Sequence, residues 1–307
     1  MGRQLELTGI IPATVLPLTT DYQIDEDTLK EYIRWVTRSR VGGLAINVDT
    51  GEGPHLYREE KTKVLKVVKG VVGGSVPVVA GLQAGFTSQA VEVAKEMKAA
   101  GADALLVFPI ADFLGLPLAP EIPYMYHKAI ADEAEIPIVL FVLQKDLGGA
   151  EYSEDCLAKL AQIERVVAVK EATFDAMRFL NTLRLLRSHP RKISVLTGND
   201  NFIFESLILG ADGALIGFGT LATDLQVRMY ELVKRGRIDE AREIADRLQP
   251  VADVIFSPPV RNYRARTKEA LVLQGVLENA FMRPPLMPIS EKERAAVREA
   301  LKRAELL

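Results

Sequence analysis

Short apolar runs alternate along the chain with longer stretches of helical periodicity. The runs are rich in Val, Ile, Leu and Ala and too short for independent helices, so they read as buried strands. They fall at residues 9–16, 44–48, 76–80, 104–108, 138–142, 166–170, 193–197 and 214–216. Helical spacing of apolar residues predicts helices over 25–40, 58–72, 88–100, 122–134, 154–162, 175–188 and 201–209. Acids open the first of these, where the helix dipole favours them. Three junctions echo one another: Val41-Gly42-Gly43-Leu44, Ala100-Gly101-Ala102-Asp103 and Leu209-Gly210-Ala211-Asp212. Each is a helix end, a glycine terminator and a short turn into a strand. Eight units of about 30 residues predict a (β/α)8 barrel rather than an open doubly wound sheet. No Gly-x-Gly-x-x-Gly follows the first strand, which weakens a dinucleotide-binding reading.

Beyond Leu221 the pattern is purely helical, over 238–254, 260–277 and 290–304, with breaks at Pro258-Pro259 and Arg283-Pro284-Pro285. The expected organisation is a single domain. Residues 1–220 hold the barrel strands, and 221–307 form the last barrel helix and an all-helical appendix packed on the barrel.

Composition narrows the classes. The 307 residues are 48% hydrophobic and 26% charged, as in an ordinary globular protein with ample core. A net charge of −3 gives no footprint for nucleic acid or an anionic membrane. A single cysteine, Cys156, excludes an intramolecular disulfide and a cysteine-based zinc cluster, and its spacing predicts burial in a helix. Residues 1–7 lack the apolar core of a signal peptide, and no apolar run reaches membrane-spanning length, so a cytoplasmic setting is expected. His55, His127 and His189 are widely scattered. His127 and His189 read as surface or helix-end residues, and His55 is the one that can line a pocket.

Chemistry enters at Lys170, where the run Val166-Val167-Ala168-Val169 meets a lysine. Catalytic groups of (β/α)8 barrels lie at the carboxyl ends of the strands, and Lys170 ends the sixth. Burial there would disfavour the ammonium form and leave a nucleophilic amine at neutral pH. Other strand ends add Asp49-Thr50-Gly51-Glu52-Gly53, Thr197-Gly198-Asn199-Asp200 and Gly217-Phe218-Gly219-Thr220. The first suits a backbone nest for a small carboxylate, or equally a turn needing positive φ. In the second, Asn199 or Asp200 can begin the next helix.

Taken together and in order, Gly51-Glu52, Val169-Lys170-Glu171-Ala172-Thr173, Thr197-Gly198-Asn199-Asp200, Gly210-Ala211-Asp212-Gly213 and Arg283-Pro284-Pro285-Leu286 give a resemblance over the whole length. The chain resembles the dihydrodipicolinate synthase / N-acetylneuraminate lyase family of class I aldolases. The resemblance implies a (β/α)8 barrel with a C-terminal helical segment, usually a homotetramer. It implies that Lys170 forms a Schiff base with pyruvate or another 2-oxo acid, without metal or further cofactor, and that Thr50-Gly51-Glu52 holds the acid's carboxylate. A protonated imine is an electron sink, which opens aldol cleavage, condensation and loss of water.

Several positions depart from the family pattern. Its best-known members end the fifth strand in Tyr-Asn-Val-Pro, with a proton-shuttling tyrosine, whereas this chain has Phe141-Val142-Leu143-Gln144. The synthase's arginine for its second substrate is matched by Asp146, beside Lys145 and Leu147. These differences argue against the synthase activity itself. Asp49 replaces a hydroxyl residue of the carboxylate loop, and two carboxylates ~4 Å apart would repel by ~4 kcal/mol at an effective dielectric of 20. Asp49 is therefore expected to point away, to be protonated, or to face a hydroxyl or amine on the substrate, and to take over part of the missing proton transfer. The loop Pro109-Ile110-Ala111-Asp112-Phe113-Leu114-Gly115-Leu116 is apolar, which suits a subunit contact or a substrate less polar than a sugar acid.

The expected activity is thus an aldolase or dehydratase acting on a pyruvate-derived 2-oxo acid. Lys170 is the nucleophile and Asp49 the acid/base. Thr50, Gly51, Phe141, Thr173 and Gly198 line the substrate site. The alternatives are deamination of a cyclic imino acid through the same lysine, and a 2-oxo acid binding protein without turnover.

Overall fold

The computed structural model describes residues 5–114, 118–150 and 152–307. Eight parallel strands form one sheet: β1 (Gly9–Pro12), β2 (Leu44–Ile46), β3 (Val78–Leu82), β4 (Ala104–Val107), β5 (Ile138–Leu143), β6 (Val166–Ala172), β7 (Ser194–Thr197) and β8 (Gly213–Ile216). Their order is β1-β8-β7-β6-β5-β4-β3-β2. A bridge from Ala13 to Ala45 and the 3.0 Å hydrogen bond from Thr14 N to Ala45 O bring the ends together. The helices between strands are α1 (Glu26–Val36), α2 (Arg58–Val72), α3 (Thr87–Ala99), α4 (Glu121–Ala134), α5 (Glu154–Ala161), α6 (Ala176–Arg187) and α7 (Ile203–Leu209). After β8 come α8 (Thr223–Lys234), α9 (Ile238–Ile255), α10 (Tyr263–Leu273) and α11 (Glu291–Arg303). The architecture is the (β/α)8 barrel with a C-terminal helical segment that the pattern predicts. No described helix is long and apolar enough to cross a membrane.

The alternation of side chains along the strands sorts the core into two layers. Leu105, Val107, Leu140, Val142, Val169, Val195 and Ile216 pack outward against the helices. Leu106, Val139, Phe141, Ala168, Ala172, Leu196 and Leu215 fill the barrel interior. Lys170 is in phase with Ala168 and Ala172, so strand geometry turns it inward. A register shift between β5 and β6 makes Val167 an extra residue and sets that phase, pairing Phe141 with Lys170.

Three local expectations are corrected. The helix expected from 201 starts at Ile203, because the side chains of Asn199 and Asp200 bond elsewhere and cap nothing. The stretch 260–277 begins as a 3-10 turn, Val260–Asn262, and its helix ends at Leu273, before Gly275 at φ +72°. His127 is fully buried on the inner face of α4, stacked on Phe113 with Tyr126 and Tyr152 around it, rather than at the surface. In the loop after β4, Gly115 and Leu116 lie outside the described residues, while Phe113 packs inward and Leu114 is exposed. Cys156 is buried in α5, as expected.

Candidate active site

A narrow cavity opens at the carboxyl ends of the strands. Its walls are Asp49 after β2, Phe141 and Leu143 of β5, Leu147, Lys170 and Ala172 of β6, Phe174, and Gly198 and Asp200 after β7. Phe256, Val260 and Tyr263 from the C-terminal segment complete it. A larger groove outside the barrel, lined by Glu26, Arg58, Lys63 and Glu96 among others, is a solvated helix surface whose charges already pair: Arg58 with Glu96 and Lys63 with Glu26.

Lys170 is 9% exposed. Burial pushes its ammonium down to about 8, against the pull of the Asp200 and Asp49 carboxylates. Its Nζ lies 4.4 Å from the centroid of the Phe141 ring, which meets Phe108 edge-on at 5.0 Å. Phe141 lines the cavity, as expected of a residue that packs against substrate, and it also packs against the amine. Gly198 makes room for the lysine, since a Cβ there would stand 2.6 Å from Lys170 Cε. Asp200 accepts a 2.8 Å hydrogen bond from Phe218 N, and burial raises its carboxyl to about 6.

Asp49 faces protein groups rather than substrate. Arg264 donates to both of its oxygens, Nε to Oδ2 at 3.1 Å and Nη2 to Oδ1 at 2.9 Å, and Tyr263 Oη donates to Oδ2 at 2.9 Å. The Tyr263 hydroxyl also lies 3.2 Å from Thr50 Oγ1. Bidentate guanidinium pairing neutralises the charge that would repel a bound carboxylate. Of the three expected alternatives for Asp49 this pairing agrees with the first, a carboxylate turned toward other partners, and those partners come from α10.

The Thr50-Gly51-Glu52 turn is anchored from the same segment. Glu52, fully buried, forms an ion pair with Lys268 and accepts a 2.9 Å bond from Arg283 N. Lys268 also donates to Phe281 O at 2.6 Å. The left-handed residues of this loop are Asn47 (φ +55°) and Glu52 (φ +56°), not the glycines. Glycine is required for close approach instead: a Cβ at Gly53 would stand 1.9 Å from Asn47 O, and one at Gly51 2.8 Å from Thr14 O.

Thr173 does not line the cavity; its hydroxyl donates to the Glu171 carboxylate, which also accepts from Asn199 Nδ2 at 2.7 Å. This correction follows from strand alternation, which sends Glu171 outward beside β7, where burial raises its carboxyl. His55, Thr50 and Gly51 are likewise absent from the cavity wall; Thr50 lies behind the Tyr263 hydroxyl that lines it, and the His55 carbonyl accepts from Arg283 Nη1 at 3.0 Å. Asp146 is exposed, and its neighbour Leu147 forms the wall instead. Among the described residues no three His, Cys, Asp or Glu side chains gather as a metal site.

An eight-stranded parallel barrel with a buried inward lysine at a strand's carboxyl end defines a class: barrel enzymes with an amine at the mouth. The chain belongs to the dihydrodipicolinate synthetase family, whose model matches residues 6–304. It is 30% identical to 4-hydroxy-tetrahydrodipicolinate synthases of Gluconacetobacter diazotrophicus, over 97% of both chains, and of Archaeoglobus fulgidus, over 97% of this chain and 99% of the relative. Among solved structures it resembles a chloride-inhibited dihydrodipicolinate synthase from Acinetobacter baumannii in complex with pyruvate, at TM-score 0.87 and 28% identity, covering 98% of this chain and 100% of that one. It also resembles a monomeric dihydrodipicolinate synthase variant, at TM-score 0.89 and 26% identity, covering 98% and 97%. The family comprises class I aldolase-type lyases that use pyruvate through a lysine Schiff base, with no metal cofactor. The expectation that this chain is not a synthase has no support from these relatives, all of which carry the synthase name.

Proposed function

We propose that the chain holds a 2-oxo acid as an imine at Lys170 and acts on the carbon next to that imine. The observation behind the reading is the position of Lys170: buried and turned inward two residues before the carboxyl end of β6, where burial pushes its ammonium down to about 8. About a tenth of such an amine is unprotonated at pH 7, against well under a hundredth for an ordinary lysine. Thr50 and the Gly51 backbone take the acid's carboxylate, with Asp49 neutralised by Arg264 behind them. Gly198 leaves space for the adduct, and Leu143, Leu147, Phe174 and Val260 favour an apolar substituent beyond it.

The reaction is cleavage or dehydration of a pyruvate-derived 2-oxo acid. Condensation of pyruvate with an aldehyde is the second reading, favoured by the names of the relatives. The exposed apolar residues Leu114, Ile122 and Met125 beside the start of α4 support a homo-oligomer. Proton NMR of the full chain with a panel of 3-deoxy and 3-hydroxy 2-oxo acids, and with pyruvate plus aldehydes, tests the function. Release of pyruvate, loss of water or aldehyde consumption identifies the direction. Acids that bind Lys170 and return unchanged throughout would contradict turnover.

A further inference from the structure

We propose that Tyr263 is the proton-transfer residue of this cavity, its phenol doing what Phe141 cannot. The inference rests on the imine reading of Lys170 and assigns the next step.

Chemistry through the imine needs a group that gives a proton to the departing C2 hydroxyl and moves a proton to or from C3. The cavity wall offers Asp49, Asp200 and Tyr263 besides the lysine. Both oxygens of Asp49 are occupied by Arg264, so it is poorly placed to receive a substrate proton. Asp200 is tied to the Phe218 amide. Tyr263 brings its hydroxyl to the Thr50-Gly51 turn, 2.9 Å from Asp49 Oδ2 and 3.2 Å from Thr50 Oγ1, where the acid end of the substrate is to be held. Its ring is fixed by stacking on Phe256, with centroids 5.3 Å apart and planes 23° from parallel. Burial and the Asp49 carboxylate hold the phenol well above its ordinary value, so it rests protonated, while the Arg264 guanidinium, its carbon 6.0 Å from the ring centroid, opposes them and favours a transient phenolate.

The steps balance without a further reactant. In the carbinolamine at Lys170 the nitrogen lone pair forms the C=N bond and the C2–O bond breaks. Tyr263 rotates its Oη–H from Asp49 to the departing oxygen, water leaves, and a phenolate faces the iminium. The phenolate then takes a proton from C3. The C3–H electrons form C2=C3, the C=N π pair returns to nitrogen, and the neutral phenol is restored. Asp49 and Arg264 are positioning residues for the hydroxyl.

The test follows pyruvate in D2O with the full chain. Deuterium uptake at C3 is read by NMR, and the end-point adduct at Lys170 is read by intact mass after borohydride. In Tyr263→Phe the adduct is expected to reach the native end point while exchange slows by about 100-fold or more. Native exchange in Tyr263→Phe, or an equal loss of adduct and exchange in that variant, would each overturn the assignment. Absence of adduct in the native chain would instead remove the Lys170 reading on which it rests.

Discussion

Lys170 was legible because strand alternation works on one sequence run: Ala168 and Ala172 are small and share its face. Its burial has a stability cost. The folded state holds the amine near 8 while the unfolded chain keeps it near 10.5, so the unfolded state binds more protons between those values and stability rises with pH across them. Lys170→Met is therefore expected to stabilise the chain by roughly 2–3 kcal/mol below pH 8, with the gain gone by pH 10.5. Urea titrations at pH 7 and 10.5 check this; an equal gain at both would contradict it. Gly198 is the second residue where space decides. The Cβ of Gly198→Ala would press on Lys170 Cε at 2.6 Å and on Ala172 Cβ at 2.9 Å. Adduct formation should slow by about 10-fold or more, since misplacing a reacting group costs rate steeply. Stopped-flow trapping with pyruvate measures it. Tyr263 and Arg264 were not legible as site residues, because 215 residues separate Arg264 from Asp49 and nothing local marks the pairing.

At the scale of elements, α10 is part of the site rather than a cover over it. Tyr263, Arg264 and Lys268 share that helix and reach three parts of one turn: Thr50, Asp49 and Glu52. An unusual density of Arg and Lys in Tyr263-Arg264-Ala265-Arg266-Thr267-Lys268 was the available signal, and all four of its cationic and phenolic ends are buried. The Glu52–Lys268 pair has both side chains 1% exposed. Lys268→Met should destabilise by about 3–5 kcal/mol by stranding the carboxylate, while adding Glu52→Gln should recover much of the loss. Chemical denaturation of the single and double variants separates the two. In α4, His127 Nδ1 meets Pro123 O at 2.7 Å, and burial pushes the imidazole down to about 4. The unfolded chain binds that proton near pH 6.5 and the folded chain does not. Stability should therefore fall by up to roughly 3 kcal/mol as pH drops from 6.5 to 4. His127→Phe should flatten that part of a Tm–pH curve.

For the whole molecule, periodicity carried the fold because each βα unit is local: the strands and helices recur at close spacing and obey one register rule. Closure of the ring, the inward phase set by the extra residue Val167, and the docking of the last helices depend on contacts between distant segments. Lys170 and Gly198 could be placed from the pattern of strand ends, whereas the roles of Asp49 and Thr173 turned on partners the pattern does not show. One measurement reaches Lys170 directly. Native chain and Lys170→Ala are incubated with pyruvate, reduced with borohydride and weighed intact, and the adduct is located by peptide mapping. One reduced pyruvate adduct per native chain is expected, on Lys170, and none in Lys170→Ala. An adduct that persists in Lys170→Ala, or none on the native chain, would contradict the Lys170 reading.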